Sequence, residues 1–284
     1  MNFTYTWTMT PPTDTQIIEV WIPIPINSDR QTVQLVSVSD PVGRFTTDPK
    51  YGNRMFYRKY NRLEEKISDT ITLIFTYKLV LLEKEVREAK ELAPLPKVKA
   101  DENLQVYLSD NRLIPLVGNV SNLERSMLLS DKPILAARQV YDRLISTMTY
   151  NHNAPGAGVG DAALACNSKT GDCSDYHSVF IGVCRAAGIP ADHVFGIPLR
   201  NTQPNHTIKY WHCWAQFWVK DAGWITIDAS EADKHPELKE YLFGTLSNDY
   251  LVVSHGRDVI LEPKQKGEAL NIFADPYVEL DGKP

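Results

Sequence analysis

Three residues of this sequence could together perform nucleophilic chemistry: Cys173, His212 and Asp228. Cys173 lies in Gly171-Asp172-Cys173-Ser174, directly before a helical run. Tyr176, Phe180, Val183, Cys184 and Ala187 fall on one apolar face of that run, and Gly188-Ile189-Pro190 ends it. The spacing puts Cys173 at the start of a helix. Backbone N–H groups without partners and the helix dipole stabilise an anion there, so a thiolate is favoured. Cys184, on the apolar face, reads as an inert core thiol. A thiolate needs a base, and histidine is the usual one. The histidine needs a carboxylate to orient its ring and stabilise the imidazolium.

His212 and Asp228 fit those two roles. Residues 210–220 alternate: Trp211, Cys213, Ala215, Phe217 and Val219 take one face, and His212, Trp214, Gln216 and Trp218 take the other. Asp221-Ala222-Gly223 turns the chain into Trp224–Asp228, which makes an antiparallel hairpin. Its two open ends bring His212 toward Asp228. A simple four-residue loop leaves them about three positions out of register, so contact is expected to need a bulge or a different loop.

The elements that must position this trio divide near residue 92. Residues 1–92 read as an antiparallel β-domain, sandwich-like or barrel-like. Phe3, Tyr5, Trp7 and Met9 alternate with threonines, and further strands are predicted at 17–22, 33–38, 55–60 and 70–81. Pro23 and Pro25 are read as breakers. Residues 83–92 are charged and helix-prone, and Ala93-Pro94-Leu95-Pro96 reads as a linker. Residues 93–284 form the second part, with its core motif at about 140–230. Asp131 and Pro133 open a helix whose core face is Ile134, Ala137, Tyr141, Leu144, Ile145 and Met148. The Gly-rich stretch 154–160 lacks the Lys-Ser/Thr ending of a phosphate loop and reads as a mobile surface loop beside a site.

With these motifs in hand, the sequence resembles the transglutaminase-like superfamily. The resemblance rests on Gly-Asp-Cys173-Ser-Asp-Tyr, on Cys184-Arg185-Ala-Ala-Gly-Ile-Pro-Ala191, on Trp211-His212-Cys-Trp-Ala-Gln-Phe and on Gly223-Trp224-Ile-Thr-Ile-Asp228-Ala. It is strong over about residues 140–230. Gly256-Arg257-Asp258-Val259 and the Pro-Tyr-Val-Glu at 276–279 also look similar to bacterial members. It implies an α+β fold with a papain-like core and a Cys-His-Asp triad on Cys173, His212 and Asp228. It also implies acyl transfer from amides through a thioester, with hydrolysis the expected outcome and transamidation sharing the same chemistry. Bacterial members are often described as cysteine proteases. The calcium sites of the animal enzymes cannot be mapped onto this sequence, and no metal or cofactor is expected.

The oxyanion formed in such chemistry needs two donors. The Cys173 N–H is one; Tyr150 and Asn167, both upstream, are candidates for the other. Trp214 shares the His212 face and is expected to wall a substrate cleft. His177, four residues after Cys173, is expected at the helix surface or lining the site.

Rival readings remain. Cys173 and His177 have a workable zinc spacing, which Cys166, Cys213 and His206 could complete, but no paired short-spacing ligand motif is present. A Cys166–Cys173 disulfide would block the nucleophile and is disfavoured in a cytosolic setting. A catalytically inactive core beside a protein- or carbohydrate-binding β-domain is the non-enzyme alternative.

Composition narrows the classes. The 284 residues are 43% hydrophobic and 23% charged, which is ordinary for a globular protein. With 30 Lys and Arg against 35 Asp and Glu, the net charge is −5, and no basic block is present; nucleic acid is not an expected partner. A peptide or protein substrate is. The most apolar stretch, 71–82, is too short and too interrupted to span a membrane. The first residues lack the features of a signal peptide, so the expected compartment is the cytoplasm, or the periplasm or exterior if a leader has been removed.

Overall fold

The computed structural model describes residues 1–86, 102–199 and 207–284. The expected boundary at residues 92 and 93, most of the charged segment before it and the Ala-Pro linker lie outside them.

In chain order the strands begin with β1 (Asn2–Met9), β2 (Ile17–Ile24), β3 (Gln31–Val38), β4 (Arg44–Thr47), β5 (Arg54–Asn61), β6 (Ile71–Leu81) and β7 (Lys84–Glu85). Then follow α1 (Asn119–Met127), α2 (Pro133–Thr147), β8 (Thr149–Tyr150), α3 (Ala162–Ser168), β9 (Thr170–Gly171) and α4 (Cys173–Ala186). After these come β10 (Ala191–Pro198), β11 (His212–Val219), β12 (Gly223–Ile227), α5 (Ala229–Lys234), β13 (Thr245–Leu246), β14 (Tyr250–His255) and β15 (Tyr277–Leu280). The chain forms two compact units. One comprises Met1–Leu82, Phe195–Trp211 and Asn248–Pro284, the other Glu83–Val194 and His212–Ser247.

The first unit is an antiparallel sandwich. One sheet has the order β1-β6-β3 and the other β15-β2-β5-β4. The period-2 pattern of β1 and β6 explains this: Ile71, Leu73, Phe75, Tyr77 and Leu79 of β6 all point inward and are buried. They meet Ile18, Val20, Ile22 and Phe56 of the opposing sheet in one core. Outward threonines pair across the strands, as Thr8 does with Thr72. Pro23 does not break β2 as the sequence suggested. It pairs with Met55, beyond the segment 18–21 that β15 covers, so no ladder bond is asked of its missing N–H.

The second unit is built around α4. Every residue of α4 from Cys173 to Arg185 is buried. Helices α1, α2 and α3 and strand β11 all pack against it. The core joins Tyr176, Val179, Phe180 and Val183 of α4 to Ala137, Val140, Tyr141 and Leu144 of α2 and to Ala215 and Phe217 of β11. Strand β11 lies between β12 and β10. The fold class is therefore α+β, with the cysteine on a helix packed against an antiparallel sheet that carries the histidine. Two local expectations change. The residue capping α2 is Lys132 rather than Asp131, with Pro133 at the first helical position. Lys84–Glu85, expected in a helix-prone run, forms a short strand paired with β13. Among the described residues, no helix is long and apolar enough to cross a membrane.

Gly182 of α4 packs against Val120 of α1 and Ile114 before it. A Cβ there would lie 2.9 Å from Val120 Cγ1 and 3.1 Å from Ile114 Cγ2. Gly182→Val is expected to lower the stability by about 1–3 kcal/mol through overpacking, measured by urea denaturation; an unchanged midpoint would refute this packing.

Candidate active site

Cys173 is the first residue of α4, and it is 8% exposed. Asp172 is the N-cap: its carboxylate accepts from the Ser174 N–H at 2.9 Å. Asp175 completes a capping box by accepting from the Asp172 N–H at 2.9 Å. These caps hold the start of the helix, and with it the sulfur, in a fixed place. They are legible in the sequence as D-x-x-D, a signal the sequence reading did not use.

Asp175 also tethers the Gly-rich loop. Its two oxygens accept from the Gly158 N–H and the Gly160 N–H, each at 3.0 Å. Both glycines have φ in the left-handed region, +85° and +69°, which lets their amides turn inward. The loop does lie beside the site, as expected, but it is pinned rather than free.

His212 opens β11, and Asp228 follows β12 as the N-cap of α5. The two strands pair without a bulge, in a register that sets Ala215 against Ile227 and Val219 against Gly223. That register puts Asp228 opposite Trp214, two places from His212 and on the same face. The offset is thus smaller than the three places expected, and a diagonal same-face neighbour is within reach of an imidazole. His212 Nε2 lies 2.7 Å from Asp228 Oδ2. Oδ1 of the same carboxylate accepts from Ser230 Oγ and the Glu231 N–H, both at 2.9 Å. The carboxylate is therefore fixed at both oxygens. With Nε2 held by Asp228, Nδ1 is the ring nitrogen left for Cys173, and His212 is one of the groups that lower the Cys173 thiol.

The electrostatics of the three groups are consistent with one another. Hydrogen bonding from Cys213, and then from His212 with its charge, holds the Cys173 thiol well below its ordinary range, against burial that raises it. Burial pushes the His212 imidazole down, but the Asp228 carboxylate and Cys173 outweigh it and raise His212 to about 10. Burial likewise pushes Asp228 up, and the charge of His212 outweighs it, holding the carboxyl well below the usual range. These directions favour the thiolate and the imidazolium together. Asp172 beside them is pushed up to about 6 by burial and then by the Cys173 charge.

Tyr150 is brought to Cys173 by the short parallel pairing of β8 with β9, which sets Tyr150 against Gly171. Asp233 of α5 fixes this strand by accepting from the Tyr150 N–H at 3.1 Å and from Tyr176 Oη at 2.9 Å. Burial, and then the Cys173 charge, push the Tyr150 phenol above its ordinary range, so it keeps its proton at neutral pH. Asn167 is exposed on α3, and among the described residues no contact joins it to Cys173.

Two expectations for the cleft are corrected. Trp214 is 1% exposed, so it offers no wall to a substrate; its ring packs 6.2 Å from the His212 ring and supports it from within. His177 is fully buried, not at the helix surface. Its Nε2 accepts from the Ala229 N–H at 3.2 Å, and its Nδ1 lies 3.8 Å from Cys213 Sγ.

His177, His193 and Cys213 each bring a potential ligand atom within 4.8 Å of the others. This set differs from the zinc set expected around Cys166 and Cys173, and His206 lies outside the described residues. His177 Nε2 faces both the Ala229 N–H, at 3.2 Å, and Asp228 Oδ1, at 3.5 Å. All four cysteines are free thiols, so no Cys166–Cys173 disulfide forms.

Trp214→Ala is expected to cost about 3–5 kcal/mol in chemical denaturation, because it empties a buried site. A raised KM at unchanged stability would restore the cleft-wall role. Asp175→Ala should speed amide exchange at Gly158 and Gly160 and cost about 1–3 kcal/mol, since buried donors lose their acceptor. Unchanged exchange at both would refute the tether.

A family model described as the transglutaminase-like superfamily matches residues 122–229. A curated relative, an uncharacterised protein of Haemophilus influenzae, is 26% identical over 320 aligned positions that span 100% of this chain and 86% of its own length. A solved structure of a candidate cysteine protease from Cytophaga hutchinsonii superposes with a TM-score of 0.65 at 16% identity, covering 98% of this chain and 88% of that one. That likeness extends the shared fold to nearly the whole chain. The segment that carries Cys173, His212 and Asp228 matches the transglutaminase-like superfamily core.

Proposed function

We propose that the protein is a thiol-dependent enzyme that hydrolyses amide bonds in a peptide or isopeptide substrate. The observation that carries this reading is the 2.7 Å contact of His212 Nε2 with Asp228, which leaves the other ring nitrogen for a cysteine at a helix start whose thiol His212 lowers.

The Cys173 thiolate attacks the carbonyl carbon, and the carbonyl electrons move to oxygen. The Cys173 N–H, with no i−4 carbonyl to receive it, and the Tyr150 phenol are the two donors assigned to that oxyanion. His212 gives its proton to the departing amine as the C–N bond breaks and a thioester remains. Water then attacks the thioester, His212 takes its proton, and the acid leaves with Cys173 restored. Asp228 fixes the ring and stabilises the imidazolium. Water is the acceptor assigned here. An added primary amine that diverts most of the acyl group would make transamidation the better description.

The test is iodoacetamide labelling of each cysteine against pH, read by peptide mass spectrometry, in the wild type and in His212→Ala. Cys173 is expected to label fast well below the free-thiol pKa of about 8.5, and to lose that advantage in the variant. An ordinary labelling profile in the wild type would overturn the reading and favour an inactive, binding role. With an amide substrate, Cys173→Ala and His212→Ala should abolish turnover without unfolding, and Asp228→Asn should retain more of it. Tyr150→Phe should lower kcat by about 10²–10³-fold while leaving the labelling profile in place. The rate should rise as the thiolate forms. It should fall as the pH passes about 10, where His212 no longer holds the proton the leaving amine needs.

A further inference from the structure

Helix α5 is only six residues long, yet it reaches Tyr150 twice. Asp233 accepts from the Tyr150 N–H at 3.1 Å and so holds its backbone. Lys234, the next residue, brings its ammonium to 4.5 Å from the centre of the Tyr150 ring. A cation over the face of an aromatic ring at such a distance is attracted by the electron density of that face. The ammonium is itself anchored. It forms an ion pair with the carboxylate of Glu231, three residues earlier on α5, and Glu231 is buried. The Glu231 N–H in turn donates to Asp228 Oδ1 at 2.9 Å. One chain of contacts therefore runs from the carboxylate that holds His212, through Glu231 and Lys234, to the Tyr150 ring. Tyr176 flanks the same ring, with centroids 6.4 Å apart, and its hydroxyl shares Asp233 with the Tyr150 N–H.

An i,i+3 ion pair on a short helix is satisfied by many side-chain rotations, and it gives no reason for the ammonium to lie over a ring. A donor to an oxyanion, by contrast, must be held within about 0.5 Å of its productive place. The pairing of β8 with β9 and the Asp233 contact set the Tyr150 backbone, and the ring needs a hold of its own. We propose that Lys234 is a positioning residue for Tyr150: its ammonium, anchored on Glu231, lies over the phenol ring and holds it where the hydroxyl meets the oxyanion formed at Cys173. The proposal rests on the reading of Tyr150 as the second oxyanion donor. It gives Lys234 no contact with the reacting atoms, so its effect is confined to steps that build charge on the carbonyl oxygen.

Two reagents separate such steps. p-Nitrophenyl acetate acylates a thiolate through a tetrahedral oxyanion, whereas iodoacetamide alkylates the same sulfur by displacement at a saturated carbon and forms none. Lys234→Met keeps the apolar stem and removes the charge, and Lys234→Arg keeps a cation. Lys234→Met is expected to slow acylation about three- to tenfold, between the exposed and desolvated limits of such a contact, with the alkylation profile against pH unchanged. Lys234→Arg should recover most of the rate. In a Tyr150→Phe background, Lys234→Met should cost nothing further. Thermal unfolding checks that each variant is folded. Wild-type acylation in Lys234→Met, equal losses in both reactions, or an added loss in the Tyr150→Phe background would overturn the proposal. Wild-type acylation in Tyr150→Phe would remove the donor reading and the proposal with it. An ordinary alkylation profile for Cys173 in the wild type would instead overturn the nucleophile reading beneath both. The contact itself is read without a reaction. The ring should shift the Lys234 ε-methylene protons upfield in the wild type, and Tyr150→Leu should return them to ordinary positions. Ordinary positions in the wild type would overturn the proposal whatever the rates.

Discussion

A thiolate almost closed off from water is stable only where donors replace the water it has lost. The start of α4 meets that requirement at Cys173 through the first turn of the helix and the imidazole of His212. Burial by itself would raise the thiol, and these groups outweigh it. The rest of the second unit can be understood as what keeps them in place. Asp172 and Asp175 cap the helix, Asp228 holds His212, and Asp233 holds the strand that carries Tyr150.

The same carboxylates serve structure and chemistry together. Asp228 orients His212 with one oxygen and caps α5 with the other. Asp175 closes the capping box of α4 and pins two amides of the neighbouring loop. The buried carboxylates of Asp175 and Asp228 are tolerated because each has hydrogen-bond donors or an opposite charge against it. The polar interior of α4, with Ser174, Asp175, His177 and Ser178 all buried, is the visible cost of placing chemistry at the centre of a helical core.

Much of this was legible in the sequence, for reasons that differ by element. Period-2 runs exposed the strands of the sandwich, and helical spacing exposed α4, because burial on one face leaves a repeating mark. The trio of Cys173, His212 and Asp228 could be read because a helix start and a hairpin each fix where a side chain must lie. What escaped was depth. Trp214 and His177 share a face or a helix with site residues, but spacing along an element does not tell whether that face meets solvent or another layer. The return of 195–211 and 248–284 to the first unit was also hidden, since pairs such as Tyr277 with Trp21 depend on contacts far apart in the chain. The caps of α4 and α5 were written in the sequence as Asp residues but need the helix starts to be known first.

Cys173 is the first residue of one helix, and Asp228 is the cap of another. The chemical groups therefore belong to junctions, not to single elements. Anyone wishing to transplant this constellation into a different scaffold would gain little by copying three side chains at matching distances. The smallest portable piece is a pair of strand-to-helix corners held at a set spacing, with His212 on the strand that bridges them. Such a piece carries its own caps and its own orientation, and a host need only supply the layer beneath.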